Sequence, residues 1–404
     1  MTTDCNPDSG RSTELRGASA DRVRTALRDG NSFPGGRGFA GRLAEPPPRA
    51  GRDGPVLVRD ALGRQPLFVE REAVNPTAGN AWSFDRGALD DPEPVPAGHV
   101  VSAGGPGIDD AERAWSLPEE GPVDPGPGQA AVNAAIDEAL SELGGGDSGE
   151  PVGDEGRLAV AFSGGVDSGL VAAAAPDTPC YVAGFEGCHD IAAAREAAEA
   201  MGRETDLRVV EITHDDLVRA VRAVARATGR QNPMDVAIAV PLYLTAEAAA
   251  ADGAERLAVG QGADELFGGY SKVVEPAEDD RVDADTVRGA RTETVRTLPR
   301  QLERDVLALR AAGVEPVAPL LDDRIVRAAL ALPSELLAAD GERKIALRRA
   351  ASGRVPESVR TADKKAVQYG TYVSRELDRL ARQAGFKRRM DDHVGQYLDA
   401  LLAE

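Results

Sequence analysis

Arg157-Leu158-Ala159-Val160-Ala161-Phe162 followed by Ser163-Gly164-Gly165-Val166-Asp167-Ser168 is the stretch on which the fold turns. An apolar run ends in paired glycines, and an Ala-rich helical segment, Ser168–Ala175, begins directly after them. That is a buried strand, a tight loop and a helix start. The pattern then repeats. Cys180–Phe185, Leu207–Ile212 and Arg256–Gly260 read as further strands. Asp190–Met201, Asp215–Thr228 and Val236–Ala251 read as helices, with Thr213 and Asp216 suited to cap the third of the four. Strand–helix alternation predicts a doubly wound parallel sheet, an α/β fold whose ligands sit beyond the carboxyl ends of the strands.

The loop at 163–168 has the makings of a phosphate site. Glycines let backbone amides turn toward an anion, and the helix start adds unpaired N–H donors and a favourable dipole. Ser163 and Ser168 supply hydroxyls. Asp167 would repel a phosphate unless it holds Mg²⁺; the alternative is a capped Gly-Gly turn. No Gly-Lys-Ser/Thr follows, so the loop is not of the Walker kind. The second motif, Gly260-Gln261-Gly262-Ala263-Asp264-Glu265-Leu266-Phe267-Gly268-Gly269-Tyr270, follows the fourth strand and brings Asp264 to the edge where Asp167 lies. Two carboxylates facing one triphosphate make a reasonable Mg²⁺ site.

Ser-Gly-Gly-x-Asp-Ser resembles the PP-loop of ATP pyrophosphatases, and the second run resembles the signature of the asparagine synthetase family. Asn232–Asp235 with Ala239–Leu244, Val317–Asp322, Arg343–Arg348 and Asp363–Gly370 are similar to further elements of that family. The resemblance covers about 157–385. It implies a PP-loop, adenine nucleotide hydrolase-like domain with a helical extension, residues 290–385, that closes one wall of the site. It implies ATP and Mg²⁺, with a small-molecule carboxylate and ammonia as co-substrates: aspartate, ATP and ammonia giving asparagine, AMP and pyrophosphate. A related amide-forming ligase on another carboxylate, or a non-catalytic nucleotide-binding regulator, are the alternatives. By carry-over, Phe162, Ala183, Val259 and Gly260, with Ser163, Gly164, Gly165, Val166, Asp167 and Ser168, contact the nucleotide. Asp167 and Asp264 hold the metal, and Lys344 stabilises charge on the transferring phosphorus. Gln261 and Glu265 complete the catalytic candidates. Gln261 stands where the family has Glu, and Val317 where it has Arg, which bears on substrate and nucleophile choice. Gln is a very poor base, so Gln261→Glu is expected to raise ammonia-dependent asparagine formation.

Outside this region the texture differs. Residues 1–20 are polar and read as a mobile tail. Residues 21–118 carry short apolar runs among Gly and Pro and read as a small β-rich domain. Residues 119–156 read as a linker with a short helix, Ala130–Leu143, and 386–404 as a C-terminal tail. Arg59–Phe68 and Pro96–His99 resemble the hairpin and turn of class II glutaminase domains. Those domains need Cys directly after the initiator Met; here Thr2 stands there and Cys5 comes three residues later, so a degenerate glutaminase-like scaffold is expected. Gly36–Gly41 matches G-x-G-x-x-G, but Pro46-Pro47-Pro48 follows it in place of a helix. Cys188-His189 lacks metal-ligand spacing, and His214 reads as a solvated neighbour of a helix cap.

The chain has 404 residues and a net charge of −20. Only five of its 47 basic residues are Lys, leaving 47 − 5 = 42 Arg. A strongly acidic surface argues against a sequence-independent nucleic-acid partner, and it resembles that of proteins adapted to a high-salt cytoplasm. No apolar run spans a membrane and no secretory signal is recognised. Three cysteines without a C-x-x-C pair fit a reducing cytoplasm.

Overall fold

The computed structural model describes residues 14–48, 54–104, 107–118, 121–144, 156–362 and 367–403. Thr2, Cys5, Lys364 and Lys365 lie outside these residues. The chain divides into two compact units, 1–118 and 119–404.

In the first unit, β1 (Leu15–Arg16) is followed by α1 (Ala20–Asp29), which Ser19 caps. Then come β2 (Ala40–Leu43), β3 (Val56–Arg59), β4 (Phe68–Glu70), β5 (Trp82–Ser83), β6 (Pro92–Pro94), β7 (His99–Ser102) and β8 (Glu112–Arg113). They form an antiparallel five-stranded sheet, β1-β2-β3-β7-β8, and a three-stranded sheet, β5-β4-β6. The period-two alternation of β3 serves two cores at once. Val56 and Val58 pack with Val23 and Leu27 of α1 and with Trp115, while Leu57 packs with Leu67, Val69 and Phe84. Because Leu15 and Arg16 pair with Gly41 and Ala40, the described part of the expected 1–20 tail is a sheet edge. The run Gly36–Gly41 enters β2, not a helix. In the turn after β3, buried Asp60 accepts hydrogen bonds from the Leu62 and Arg64 backbone amides (both 3.0 Å) and from Arg64 Nε (2.9 Å). Arg59 donates to the carbonyls of Val95 and Gly63. These charged side chains hold the turn together.

The second unit opens with α2 (Pro125–Ser141). Its Pro/Gly-rich start lies inside the helix: Pro125 occupies the first turn, where a missing N–H costs nothing. Then follow β9 (Leu158–Ala161), α3 (Val166–Ala174), β10 (Cys180–Gly184), α4 (His189–Ala200), β11 (Leu207–Glu211), α5 (His214–Thr228), α6 (Pro233–Ala251), β12 (Arg256–Ala258), α7 (Ala263–Phe267), α8 (Val287–Ala311) and β13 (Glu315–Val317). The sheet is parallel throughout, in the order β11-β10-β9-β12-β13. The fold is therefore α/β and doubly wound, with its switch point between β9 and β12. Thr213 and Asp216 form the expected capping box of α5.

The rest is mainly helical: α9 (Asp323–Leu330), α10 (Ser334–Leu337), a hairpin of β14 (Ala338–Ala339) and β15 (Glu342–Arg343), α11 (Ile345–Ala350), α12 (Glu357–Arg360), α13 (Val367–Gly370), α14 (Val373–Gln383) and α15 (His393–Ala403). Four features differ from the sequence reading. A fifth strand, β13, lies at the sheet edge where helix was expected; it is three residues long and contains Pro316, so it leaves no alternation to read. Helix α2 packs on α9 and α11, as part of the unit and not as a linker. Within the expected tail at 386–404, the described residues 386–403 are packed: Tyr397, Leu398 and Leu401 of α15 are buried with α5, α6 and α14, at helical spacing. His214, read as solvated, bonds through Nε2 to Glu376 of α14 at 2.8 Å.

Helix α6 has 19 residues and a mean hydropathy of 1.4 over its most apolar window, long and apolar enough to cross a membrane by length and composition. Here it lies in the core, with Val236, Val240, Leu244 and Ala246 buried.

Candidate active site

The two loops at the switch point meet. After β9, the Ser168 hydroxyl donates to the Gly165 carbonyl and accepts from the Ser163 amide, both at 3.2 Å, and lies 3.2 Å from the Ser163 hydroxyl. The loop is thereby closed on itself. Gly165 is the N-cap of α3 and no side chain caps it, at the helix end that favours negative charge. After β12, Gly260 passes so close to the first loop that a Cβ there would stand 3.0 Å from the Asp167 Cβ and 3.1 Å from the Ser168 amide nitrogen. Any side chain at 260 would push the two loops apart by a few tenths of an ångström.

Asp167 and Asp264 sit in the first turns of α3 and α7. Between them lies Lys344, whose Nζ is 2.6 Å from Asp167 Oδ2 and 2.7 Å from Asp264 Oδ1. Lys344 comes from the far side, between β15 and α11, and adopts the left-handed conformation (φ 57°, ψ 36°), a backbone state costing a non-glycine residue on the order of 1 kcal/mol. Its neighbour Arg343 donates to the Gly269 carbonyl at 2.8 Å. A Cβ on Gly269 would fall 1.8 Å from Asp264 Oδ1 and 2.4 Å from Lys344 Cε, so the ammonium reaches its place only past a glycine. Burial alone would lower the Lys344 pKa; the two carboxylates outweigh it and hold the ammonium above its ordinary value. Lys344 stays charged at neutral pH.

The donor set suits Mg²⁺. Hard carboxylate oxygens from two loops already share one cation, and Mg²⁺ is commonly bound by one or two carboxylates with phosphates and water completing it. No group of three or more His, Cys, Asp and Glu side chains suited to a metal occurs among the described residues.

The remaining candidates separate. Glu265 faces inward from α7, only 5% exposed, and accepts a 2.6 Å hydrogen bond from the Tyr270 hydroxyl. Burial, with Asp264 adding to it, pushes its pKa up to about 7. Gln261 faces helix α8 instead: its Nε2 donates to Asp305 Oδ2 at 2.6 Å. Asp305, with Arg304 and Asp235 behind it, was missed in the sequence. Asp235 lies within a quoted segment, whereas Asp305 is one charge among many on a 25-residue helix and carries no local signal. Phe162, Ala183 and Val259 cluster at the carboxyl ends of β9, β10 and β12, each at most 3% exposed. The Ala183 and Val259 side chains belong to core clusters, so a nucleotide at this edge would meet their main chain.

The asparagine synthase family profile matches residues 153–293 and 279–402. Among curated relatives, a Methanocaldococcus jannaschii protein, provisionally named asparagine synthetase [glutamine-hydrolyzing] 1, is 28% identical over 61% of this chain and 51% of its own. Asparagine synthetase [glutamine-hydrolyzing] 3 of Arabidopsis thaliana is 25% identical over 69% and 48%. Asparagine synthetase B [glutamine-hydrolyzing] of Escherichia coli is 26% identical over 53% and 41%. The matches span about half the length of these relatives.

Proposed function

Because the chain belongs to the asparagine synthase family, we propose that it is an ATP-dependent ligase that adenylates a carboxylate and converts the adenylate to an amide. The observation that carries this reading is Lys344 held between Asp167 and Asp264 at the switch point. In this scheme the first-turn amides of α3, with Ser163 and Ser168, bind the pyrophosphate portion of ATP. The main chain at Phe162, Ala183, Val259 and Gly260 borders the nucleoside. A substrate carboxylate oxygen attacks the α-phosphorus, the bond to the β-phosphate oxygen breaks, and pyrophosphate leaves. The Lys344 ammonium, already charged and positioned, lies against the negative charge that gathers on the phosphoryl oxygens. Mg²⁺ held by Asp167 and Asp264 would neutralise phosphate charge and orient the triphosphate. Catalysis is then mainly placement and electrostatics.

Aspartate as the carboxylate follows from the names of the relatives, which also print glutamine hydrolysis; free ammonia is the simplest nitrogen source for this chain. Two residues favour another carboxylate in that place: Gln261, and Val317, which is buried at the end of β13 where the sequence resemblance expects an arginine. Substrate-dependent exchange of pyrophosphate into ATP, run over a panel of amino acids and other carboxylates, tests the reading. Exchange with one acid supports it and names the substrate. Nucleotide binding without exchange by any acid favours a non-catalytic regulator.

A further inference from the structure

We infer that Gln261 and Asp305 act as a pair in which Asp305 is the positioning residue. It ties down the amide NH2 of Gln261 and leaves the carbonyl oxygen to receive an N–H of the incoming nucleophile. The inference deepens the ligase reading and rests on it.

Asp305 is buried and both its oxygens are occupied, Oδ2 by Gln261 Nε2 at 2.6 Å and Oδ1 by Arg304 Nε at 2.7 Å. Arg304 in turn donates to Asp235 Oδ1 at 2.8 Å, and Asp235 Oδ2 accepts from Asn232 at 2.7 Å and Arg230 at 3.3 Å. Behind Gln261 there is thus a fixed chain of charges linking α8 to the start of α6. An amide has one donating and one accepting end. With its NH2 on Asp305, the accepting end of Gln261 is the one left for the site.

This arrangement disfavours a carboxylate at 261. A glutamate side chain in place of Gln261 would face Asp305 acceptor to acceptor with no proton between them, and like charges so close raise each other's pKa and repel. The expectation that Gln261→Glu improves the enzyme therefore reverses. The nucleophile this site takes is a neutral amine or ammonia, held by a hydrogen bond, not an ammonium drawn in by charge. Its nitrogen lone pair forms the bond to the acyl carbon, and the acyl–oxygen bond breaks with its electrons staying on AMP. The proton lost from nitrogen goes to solvent, since Gln261 accepts none.

The experiment is a double-mutant cycle on the full chain with Gln261→Glu, Asp305→Asn and both together. Aspartate and ammonium chloride are the amide probes, and thermal midpoint is read alongside. Gln261→Glu is expected to lower the midpoint by at least about 3 °C. It should also cut amide formation at least about tenfold more than it cuts ATP–pyrophosphate exchange. Adding Asp305→Asn gives the introduced carboxylate a donor again, so the double variant should lose clearly less than the sum of the two single losses in both readouts. Additive losses, or a Gln261→Glu variant as stable and as active as wild type, overturn the pair. If aspartate and ammonium give no product, the thermal cycle still decides the pairing, while the exchange panel separately decides the ligase reading.

Discussion

At the scale of single residues, the site is a cation held by two anions. Removing one negative charge from it is the most direct perturbation. Asp167→Asn or Asp264→Asn leaves Lys344 with one carboxylate and weakens the proposed metal site. A loss of about 3 kcal/mol corresponds to roughly a hundredfold slower adenylation. ATP–pyrophosphate exchange at limiting Mg²⁺ checks this, and near-wild-type rates in either variant would contradict the shared role. Cys180 gives an independent test of local packing. Burial, with Asp206 adding to it against an opposing Arg203, pushes its thiol up to about 11. Iodoacetamide at about pH 8 should leave the Cys180 peptide unmodified in the folded protein and alkylate it after denaturation, because the thiolate is the nucleophile. Rapid labelling of the native chain would show β10 open. At this scale the motifs led to Asp167, Asp264 and Lys344, and the structure brings these three side chains together. The sequence was least readable where the partner decides the role. Gln261 looked like a lost base; its meaning depends on Asp305, a helix away, and Glu265 turned inward to Tyr270.

Among elements, the joint between α6 and α8 depends on charge. Burial alone would raise the Asp235 pKa, but Asn232, Arg304 and Arg230 outweigh it and hold the carboxyl below its ordinary value. A carboxyl depressed in the folded state contributes stability that is fully present above its unfolded value, about 3.9. That contribution is lost as pH falls through the lower folded value. The thermal midpoint should therefore drop below about pH 4, and Asp235→Asn should flatten that part of the profile while lowering the midpoint at neutral pH. An unchanged acid limb in the variant would mean Asp235 does not carry the joint. The strands and helices flanking the PP-like loop were legible because buried parallel strands are continuous apolar runs. β13 was not, being a three-residue edge strand. Nor was α15, whose spacing at 394, 397, 398 and 401 is helical but whose place at the end of the chain suggested a tail.

For the whole molecule, net charge is the dominant global fact. With 67 acidic and 47 basic residues, 67 − 47 = 20 negative charges are uncompensated. Self-repulsion destabilises the compact state, and salt shortens its range from about 10 Å at 0.1 M to about 3 Å at 1 M. The thermal midpoint should rise as KCl is raised across that interval; a falling midpoint would show that specific ion pairs, not net repulsion, dominate. The two compact units answer to different signals. The second was read from alternation and motif, whereas the first was read from short strands and a glutaminase-like stretch, Arg59–Phe68, whose turn is held by the buried Asp60 and Arg64 pair. In the second unit, the proposed chemistry cuts ATP between its α and β phosphates to activate a carboxylate. Chromatographic identification of the nucleotide product, with and without the carboxylate that supports exchange, tests it most directly. AMP and pyrophosphate should form in equal amounts, dependent on that carboxylate. ADP and phosphate as the main products would contradict it.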